Sequence, residues 1–491
     1  MTTDAAAPIS DSSIAEEKAP AAAARRKYDR SIVEGPLGRA VWKLAWPTML
    51  TNMIGGLQGM VDQAMVGNLI GYKANAAIGV SSQIWIIVII FISSLFTGMS
   101  VLVARFAGAG DHDKVDRTVY QAFIAALGLS LILGAIGYIA APALLDFVNA
   151  APDVKTEALP FIRIMFLFSS GMLIFFMLGG ALRSAGDART PMVLGVSMTV
   201  LNIVLNVILI RGLGPIPAFG TKGAAMGTSI AAGLVGLYSL WKLLHGGWVV
   251  SFPRGRGWGP DWEIIRSLFR FGLPTGIQGI AMNIGGVLMM SFVGSLPQSA
   301  AAQAAFTVSY SQLFSFITWT SVGLMGASAA IAGQNLGAGK PERAIAGVKV
   351  AAGIGLTSAA ILGTIFLLFP RQLLAIFGMH DGLVVDLGVQ LLRVLAFSGL
   401  FVTVALTYTG GLQGTGDTKS PLYISIISQV IVPLGICFII QRTTTLDPID
   451  IWIAILAGHA TRCALSVLRF RQGRWRTIHV DIGGAPSGRP Q

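Results

Sequence analysis

Leu182-Arg-Ser-Ala-Gly-Asp-Ala-Arg-Thr-Pro191 and Leu412-Gln-Gly-Thr-Gly-Asp-Thr-Lys-Ser-Pro421 are one pattern written twice, 230 residues apart. A Gly-Asp pair followed by Thr/Ser-Pro ends one helix and starts another. Working outward, Gly108-Ala-Gly110 recurs as Gly337-Ala-Gly339 and Arg163 as Arg393. At an offset of 227, Pro47-Thr48 recurs as Pro274-Thr275 and Val66-Gly67 as Val293-Gly294. A repeat of this length, in order and along the whole chain, is a tandem duplication.

The segments between these landmarks are apolar. Of the 491 residues, 54% are hydrophobic and only 12% charged, with mean hydropathy +0.70. A soluble domain carries about 25% charged residues. Half that density cannot clothe a water-facing surface, which excludes a soluble enzyme and a disordered scaffold. The net charge of +12 would suggest a nucleic-acid partner in a soluble chain, but here the basic residues lie between apolar runs. A lipid bilayer is the expected surrounding, with no nucleic acid. Twelve segments suit a spanning helix of about 20 residues, from 40–66 to 450–470. The fold class expected is therefore all-α and integral to the membrane, with twelve helices in two six-helix repeats.

Orientation follows from the basic residues. With the N-terminus inside, tails and inner loops hold 26 of the 35 Lys and Arg. The outer loops hold six, and Arg163, Arg393 and Arg462 fall within helices. This places both termini in the cytoplasm. The divisions expected are a disordered tail over 1–38, a lobe over 39–245, a linker over 246–265, a second lobe over 266–470 and a tail over 471–491. The linker carries Trp248, Trp258 and Trp262 with Arg254 and Arg256, a mix suited to the membrane interface. Six spans per half give both halves the same orientation, related by an axis along the membrane normal. Parallel repeats of this kind are built around a substrate path between the halves. Cys437 and Cys463 offer neither a disulfide framework nor metal spacing. No HExxH, CxxC or P-loop is present, so no enzyme and no cofactor is expected.

The landmarks resemble those of the multidrug and toxic compound extrusion (MATE) family. The carriers are Pro47, Val61-Asp62-Gln-Ala-Met-Val-Gly67, the two Gly-Asp loops at 186–191 and 416–421, Leu201-Asn202-Ile-Val-Leu-Asn206, and Gly220-Thr-Lys-Gly-Ala-Ala-Met-Gly-Thr228. The resemblance covers about Pro36 to Arg469. It implies two six-helix bundles around a central cleft and cation-coupled export of small amphipathic, often cationic, organic substrates from a bacterial inner membrane. Neither branch of the coupling, H⁺ or Na⁺, is excluded, and one chain supplies both halves, so a monomer suffices.

Ionisable groups inside a bilayer are expensive and become functional candidates by default. Asp62 is the one carboxylate placed well inside a span, about 22 Å along the helix from Pro47 at 1.5 Å per residue. Gln58 sits one turn before it. Asn202 and Asn206 are four apart and share a helix face. By resemblance, the first-lobe cation site maps to Asp62, Asn202, Asn206 and Thr228, where Na⁺ could bind. Many relatives carry Asp at the position of Asn206, so this chain has one formal charge there, which favours H⁺. The other reading of the two Asn is hydrogen bonding between helices, and of Thr228, bonding to its own backbone. The repeat offers an internal control: the positions equivalent to the four are Met289, Val432, Ile436 and Gly458, so the polar set occurs once. Where the NorM-like branch of the family carries acids, this chain reads Ile280-Ala-Met-Asn283 and Phe401-Val-Thr-Val404, which brings it closer to the DinF-like branch.

Met53, Met60, Gln58, Asn283 and His459 are candidates for the substrate path. Pro47, Gly55, Gly56 and Gly59 would let the first helix bend. Two rivals remain. A lipid-linked saccharide flippase of the same superfamily needs a cationic cleft, and no Lys/Arg cluster is placed at mid-membrane. A non-transporting receptor or assembly subunit would not need the duplication or the intramembrane Asp.

Overall fold

Aspartates start the helices and left-handed glycines end them, and both devices are duplicated. The computed structural model describes residues 30–148, 150–252 and 259–480. Its first half runs α1 (Leu37–Leu69), α2 (Tyr72–Ala109), α3 (His112–Phe147), α4 (Pro152–Leu167 continued by Ser169–Ser184), α5 (Arg189–Arg211) and α6 (Thr221–His245). The second runs α7 (Trp262–Gly294), α8 (Ser299–Gly337), α9 (Pro341–Leu368), α10 (Gly382–Thr415), α11 (Lys419–Thr443) and α12 (Pro448–Arg471). Gly110 and Gly339 take φ of 75° and 71°, and Gly186 and Gly416 take 103° and 99°. These are the duplicated glycines, in a conformation that costs an L-residue about 1 kcal/mol or more. Asp187 accepts from the Thr190 backbone N–H (3.0 Å) and Asp417 from that of Ser420 (3.2 Å), so each loop caps the helix it opens.

Among the described residues, ten helices are long and apolar enough to cross a membrane, and the bent α4 pair makes eleven. The twelfth, α1, is 33 residues long. It fails on apolarity because Thr48, Thr51, Asn52, Gln58, Asp62 and Gln63 are spaced along it. Large aliphatic side chains such as Ile139, Val287 and Ile361 lie exposed on the outer faces, the arrangement a lipid environment requires.

Three helices are irregular. α4 bends by 52° between Leu167 and Ser169. α8 holds a π-helical stretch at Thr307–Leu313, and α11 one at Ile427–Ile431, just before Pro433. Proline has no N–H to continue the ladder, and the widened turn absorbs the defect. α1, by contrast, passes through Pro47 without a break. The Thr48 and Thr51 hydroxyls and the Asn52 amide all bond back to carbonyls of that turn.

The lobes meet through glycine. A Cβ on Gly108 would lie 1.9 Å from the Gln334 carbonyl oxygen, and one on Gly337 would lie 2.1 Å from that of Arg105. Gly108/Gly337 and Arg105/Gln334 are both equivalent pairs, 229 apart. The contact is therefore reciprocal, and α2 and α8 cross on the pseudo-twofold axis. Gly98 and Gly272 make matching close approaches between α2 and α7.

The termini depart from the expected boundaries. Residues 1–29 and 481–491 lie outside the described residues, but the tails are ordered nearer the bundle. Ile32 is fully buried, and its carbonyl accepts from Asn335 and Arg343 (both 3.4 Å). Trp475 is fully buried against Phe470, and the Ile478 carbonyl accepts from Arg105 (3.0 Å). An apolar residue within reach of a helix groove gains more from burial than a free tail gains in entropy. The linker is shorter than expected because Asp261 caps α7 and starts it at Trp262. It is pinned to α3: Ser251 donates to Asp116, Gln121 donates to the Gly259 carbonyl, and Arg117 pairs with Asp261 at 2.6 Å. Trp248 packs beside Tyr238 while Trp262 is largely exposed; Arg254, Arg256 and Trp258 lie outside the described residues.

Candidate functional site

Three helices of the first lobe bring the polar candidates together. Asp62 projects from α1, Asn202 and Asn206 from one face of α5, and Thr228 from α6. The Asn206 amide nitrogen donates to Asp62 Oδ1 at 2.9 Å. The Asn202 amide, oriented by its neighbours, turns its nitrogen to the same oxygen (3.0 Å). Its own oxygen accepts from the Thr228 hydroxyl (2.9 Å) and backbone N–H (3.2 Å). That hydroxyl also reaches the Ala224 carbonyl of its own helix (3.1 Å). Gln58 hydrogen-bonds to Asp62 and accepts from the Thr199 hydroxyl at 2.6 Å. Both asparagines are buried while Asp62 is half-buried.

The cluster depends on a glycine that periodicity does not reveal. A Cβ on Gly227 would lie 2.1 Å from Asn206 Oδ1. Only glycine lets α6 approach α5 closely enough for this amide to sit between them. Amide nitrogens, not oxygens, face the carboxylate. N–H donors around one carboxylate stabilise its charged form, and a metal ion would need several oxygen ligands instead.

The remaining candidates separate. Gly56 lies against α8 of the other lobe: a Cβ there would be 2.2 Å from the Trp319 indole, whereas Gly55 and Gly59 face open space. Met53 and Met60 are half-buried on α1 and do not line the central cavity. Asn283 is exposed and donates to the Gly279 carbonyl of its own helix at 2.9 Å. His459 does reach the cavity.

That cavity, of about 440 Å³, lies between the lobes. Equivalent positions of the two repeats face each other across it: Phe96 and Met325, Ser100 and Ala329, Arg183 and Gln413. It therefore sits on the pseudo-twofold axis. None of Asp62, Asn202, Asn206 and Thr228 lines it. Arg183 and Arg462 both do, two basic side chains that the sequence reading does not bring together. Counting Arg183 with the loop after it hid this. It belongs to α4, which continues to Ser184, and its guanidinium lies over the Phe96 ring at 5.6 Å. The available signal was a difference between the repeats: Arg183 stands where the second copy of the loop motif has Gln413.

Comparison with known proteins agrees with this architecture. The MatE family profile matches residues 47–208 and 274–439, once in each half. The probable multidrug resistance protein NorM of Thermotoga maritima is 27% identical over 88% of this chain and 92% of its own length. The probable multidrug resistance protein YoeA of Bacillus subtilis is 25% identical over 88% and 93%. Among solved structures, a MOP superfamily transporter from Pyrococcus furiosus superposes with a TM-score of 0.84, at 23% identity, over 91% of this chain and 98% of that one. With two family matches set in two six-helix halves, this multi-pass membrane protein belongs to the MatE family of transporters.

Proposed function

We propose that the protein exports small amphipathic organic compounds across a bacterial inner membrane, driven by inward flow of H⁺, with Na⁺ as the alternative coupling ion and both termini cytoplasmic. The observation that carries this reading is the single-copy cluster of Asp62, Asn202, Asn206 and Thr228. A duplicated chain kept its glycines and caps in both halves but its intramembrane carboxylate in one. A coupling site needs no twin, whereas residues that merely glue helices would be expected in both halves.

The mechanism follows from the separation of cluster and cavity. A cation arriving at Asp62 neutralises the carboxylate and removes the reason for two amides to point at it. α1 is then free to shift on α5, and Gly56 carries that shift to Trp319 on α8. Trp319 adjoins Thr318, which lines the central cavity. The glycine contacts between α2, α7 and α8 form a smooth seam on which the halves rock, giving alternating access.

Efflux from proteoliposomes under separately imposed proton and sodium gradients tests this. A ΔpH alone should drive efflux, and Asp62→Asn should abolish it while leaving the detergent-purified protein monodisperse. Undiminished gradient-driven efflux by Asp62→Asn would sink the assignment.

A further inference from the structure

The central cavity is positively charged and has no internal counter-charge. Arg183 and Arg462 line it, and no Asp or Glu does, among the described residues. Among the described residues, neither guanidinium has a hydrogen-bond or ion-pair partner. Arg462 is only 4% exposed and its Nε has no partner. His459 stacks near Tyr310 and Phe314, and neither of its ring nitrogens is bonded. Gln429, which also lines the cavity, has its Nε2 buried without an acceptor. Residues with unused polar atoms thus gather around one cavity. An Arg at a helix centre, as Arg462 is in α12, costs about 2.5–3.5 kcal/mol to insert, and a buried charge without a partner costs more than the pair it would form. Phe96 gives Arg183 a cation–π contact, but among the described residues no carboxylate lines the cavity to offset either charge.

The rest of the lining is apolar and aromatic, including Phe96, Phe314, Met282 and Met325. A volume of about 440 Å³ falls in the range of a drug-sized ligand. A guanidinium over an aromatic ring, as Arg183 is over Phe96, presents a flat cationic face beside an apolar one.

We propose that this cavity binds the transported substrate as an amphipathic organic anion, with a carboxylate, sulfonate or phosphate between Arg183 and Arg462 and an aromatic or aliphatic body against Phe96, Phe314 and the methionines. The charge is opposite to that implied by the family resemblance. Asp62 cannot offset it for a cationic cargo, because Asp62 is not in the cavity. The inference deepens the export reading but needs no gradient to be tested.

The test is equilibrium binding to the purified full-length chain in detergent, read by fluorescence anisotropy. Carboxyfluorescein and a cationic rhodamine ester share one xanthene core and differ in charge. Carboxyfluorescein should bind about tenfold more tightly or better. Arg183→Gln and Arg462→Gln should each weaken it about tenfold, as expected for loss of a charge-assisted hydrogen bond, and Arg183→Lys should keep most of the affinity. Tighter binding of the rhodamine by the unmodified protein overturns the proposal, as does an unchanged carboxyfluorescein affinity in both Gln variants. Should the Gln variants not fold, the preference of the unmodified protein decides. Displacement of the dye by farnesyl pyrophosphate at far lower concentration than by carboxyfluorescein itself would support it and identify the anion as a pyrophosphate-linked lipid. Anion binding without gradient-driven efflux would sink the export reading and leave this one standing.

Discussion

The two lobes share a backbone plan and differ in what they bury. In the first, α1, α5 and α6 enclose a carboxylate and two amides. In the second, the equivalent positions are Met289, Val432, Ile436 and Gly458, and α12 packs directly on α11: a Cβ at Gly458 would lie 2.6 Å from the Ser428 carbonyl. Instead the second lobe has an aromatic ladder. Phe306 and Tyr310 stack at 4.9 Å, Tyr310 and Phe314 at 5.5 Å, and Phe306 lies 6.0 Å from Trp452. Its polar end, His459 and the Arg462 guanidinium, lines the shared cavity. On the reading proposed above, the first half alone carries the cation-exchange cluster, while the cavity draws on both halves, Arg183 and Phe96 from the first and His459 and Arg462 from the second. The difference teaches that in a pseudo-symmetric transporter the symmetric residues report the hinge and the asymmetric ones the work.

The sharpest way to break the comparison is at the glycine that admits Asn206. Gly227→Val should displace that amide and abolish gradient-driven efflux, whereas Ala457→Val at the equivalent place in α12 should leave efflux within about twofold. Overpacking a tight helix contact costs about 1–3 kcal/mol, so the variants are compared by efflux per folded molecule. Equal loss in both would mean that the lobes are not specialised.

A smaller effect is expected on ion choice. Asn206→Asp replaces a donor facing Asp62 with a second carboxylate and supplies the oxygens that a metal ion requires. Efflux should become stimulated by external Na⁺, by about tenfold in apparent affinity (about 1.4 kcal/mol). No gain of sodium dependence would show that charge count is not what selects the ion.

The smallest effect concerns the duplicated caps. Asp187 accepts only from its own turn, while Asp417, 5% exposed, also accepts from Arg469 at 2.9–3.0 Å. Asp187→Asn should lower stability by about 1 kcal/mol, the ordinary value of a cap. Asp417→Asn should cost about 2 kcal/mol more, because it leaves a half-buried guanidinium short of its acceptor. Thermal unfolding of the two purified variants ranks them, and equal shifts would remove Arg469 from the account.

Short-range chemistry was legible in the sequence. The duplicated glycines and aspartates announced the helix ends because each acts within its own turn, and the i, i+4 spacing of Asn202 and Asn206 placed both on one face of α5. Contacts between distant helices were not. Nothing in the run around Gly227 says which side chain it admits, and Gly56 read as a flexible point of α1 when it is a contact with Trp319. Arg183 reads as a loop charge in the sequence because the positive-inside pattern absorbs any basic residue near a helix end. Its guanidinium instead enters the cavity from the last turn of α4. Ile32 and Trp475 lie in segments whose composition resembles a free tail, and only their partners across the fold distinguish them.

Those two ends have a further consequence. The N-terminal arm lies on α8 and α9, where Arg343 holds the Ile32 and Gly35 carbonyls, and the C-terminal arm is held by Arg105 of α2. Each half thus extends an arm over the other, the arrangement of a domain-exchanged dimer made into one polypeptide. A chain severed in the connection before α7 would yield two fragments, each carrying the clasp its partner needs. Such fragments can find one another in a membrane without a covalent link, and a fusion or tag replacing either arm removes half of that latch.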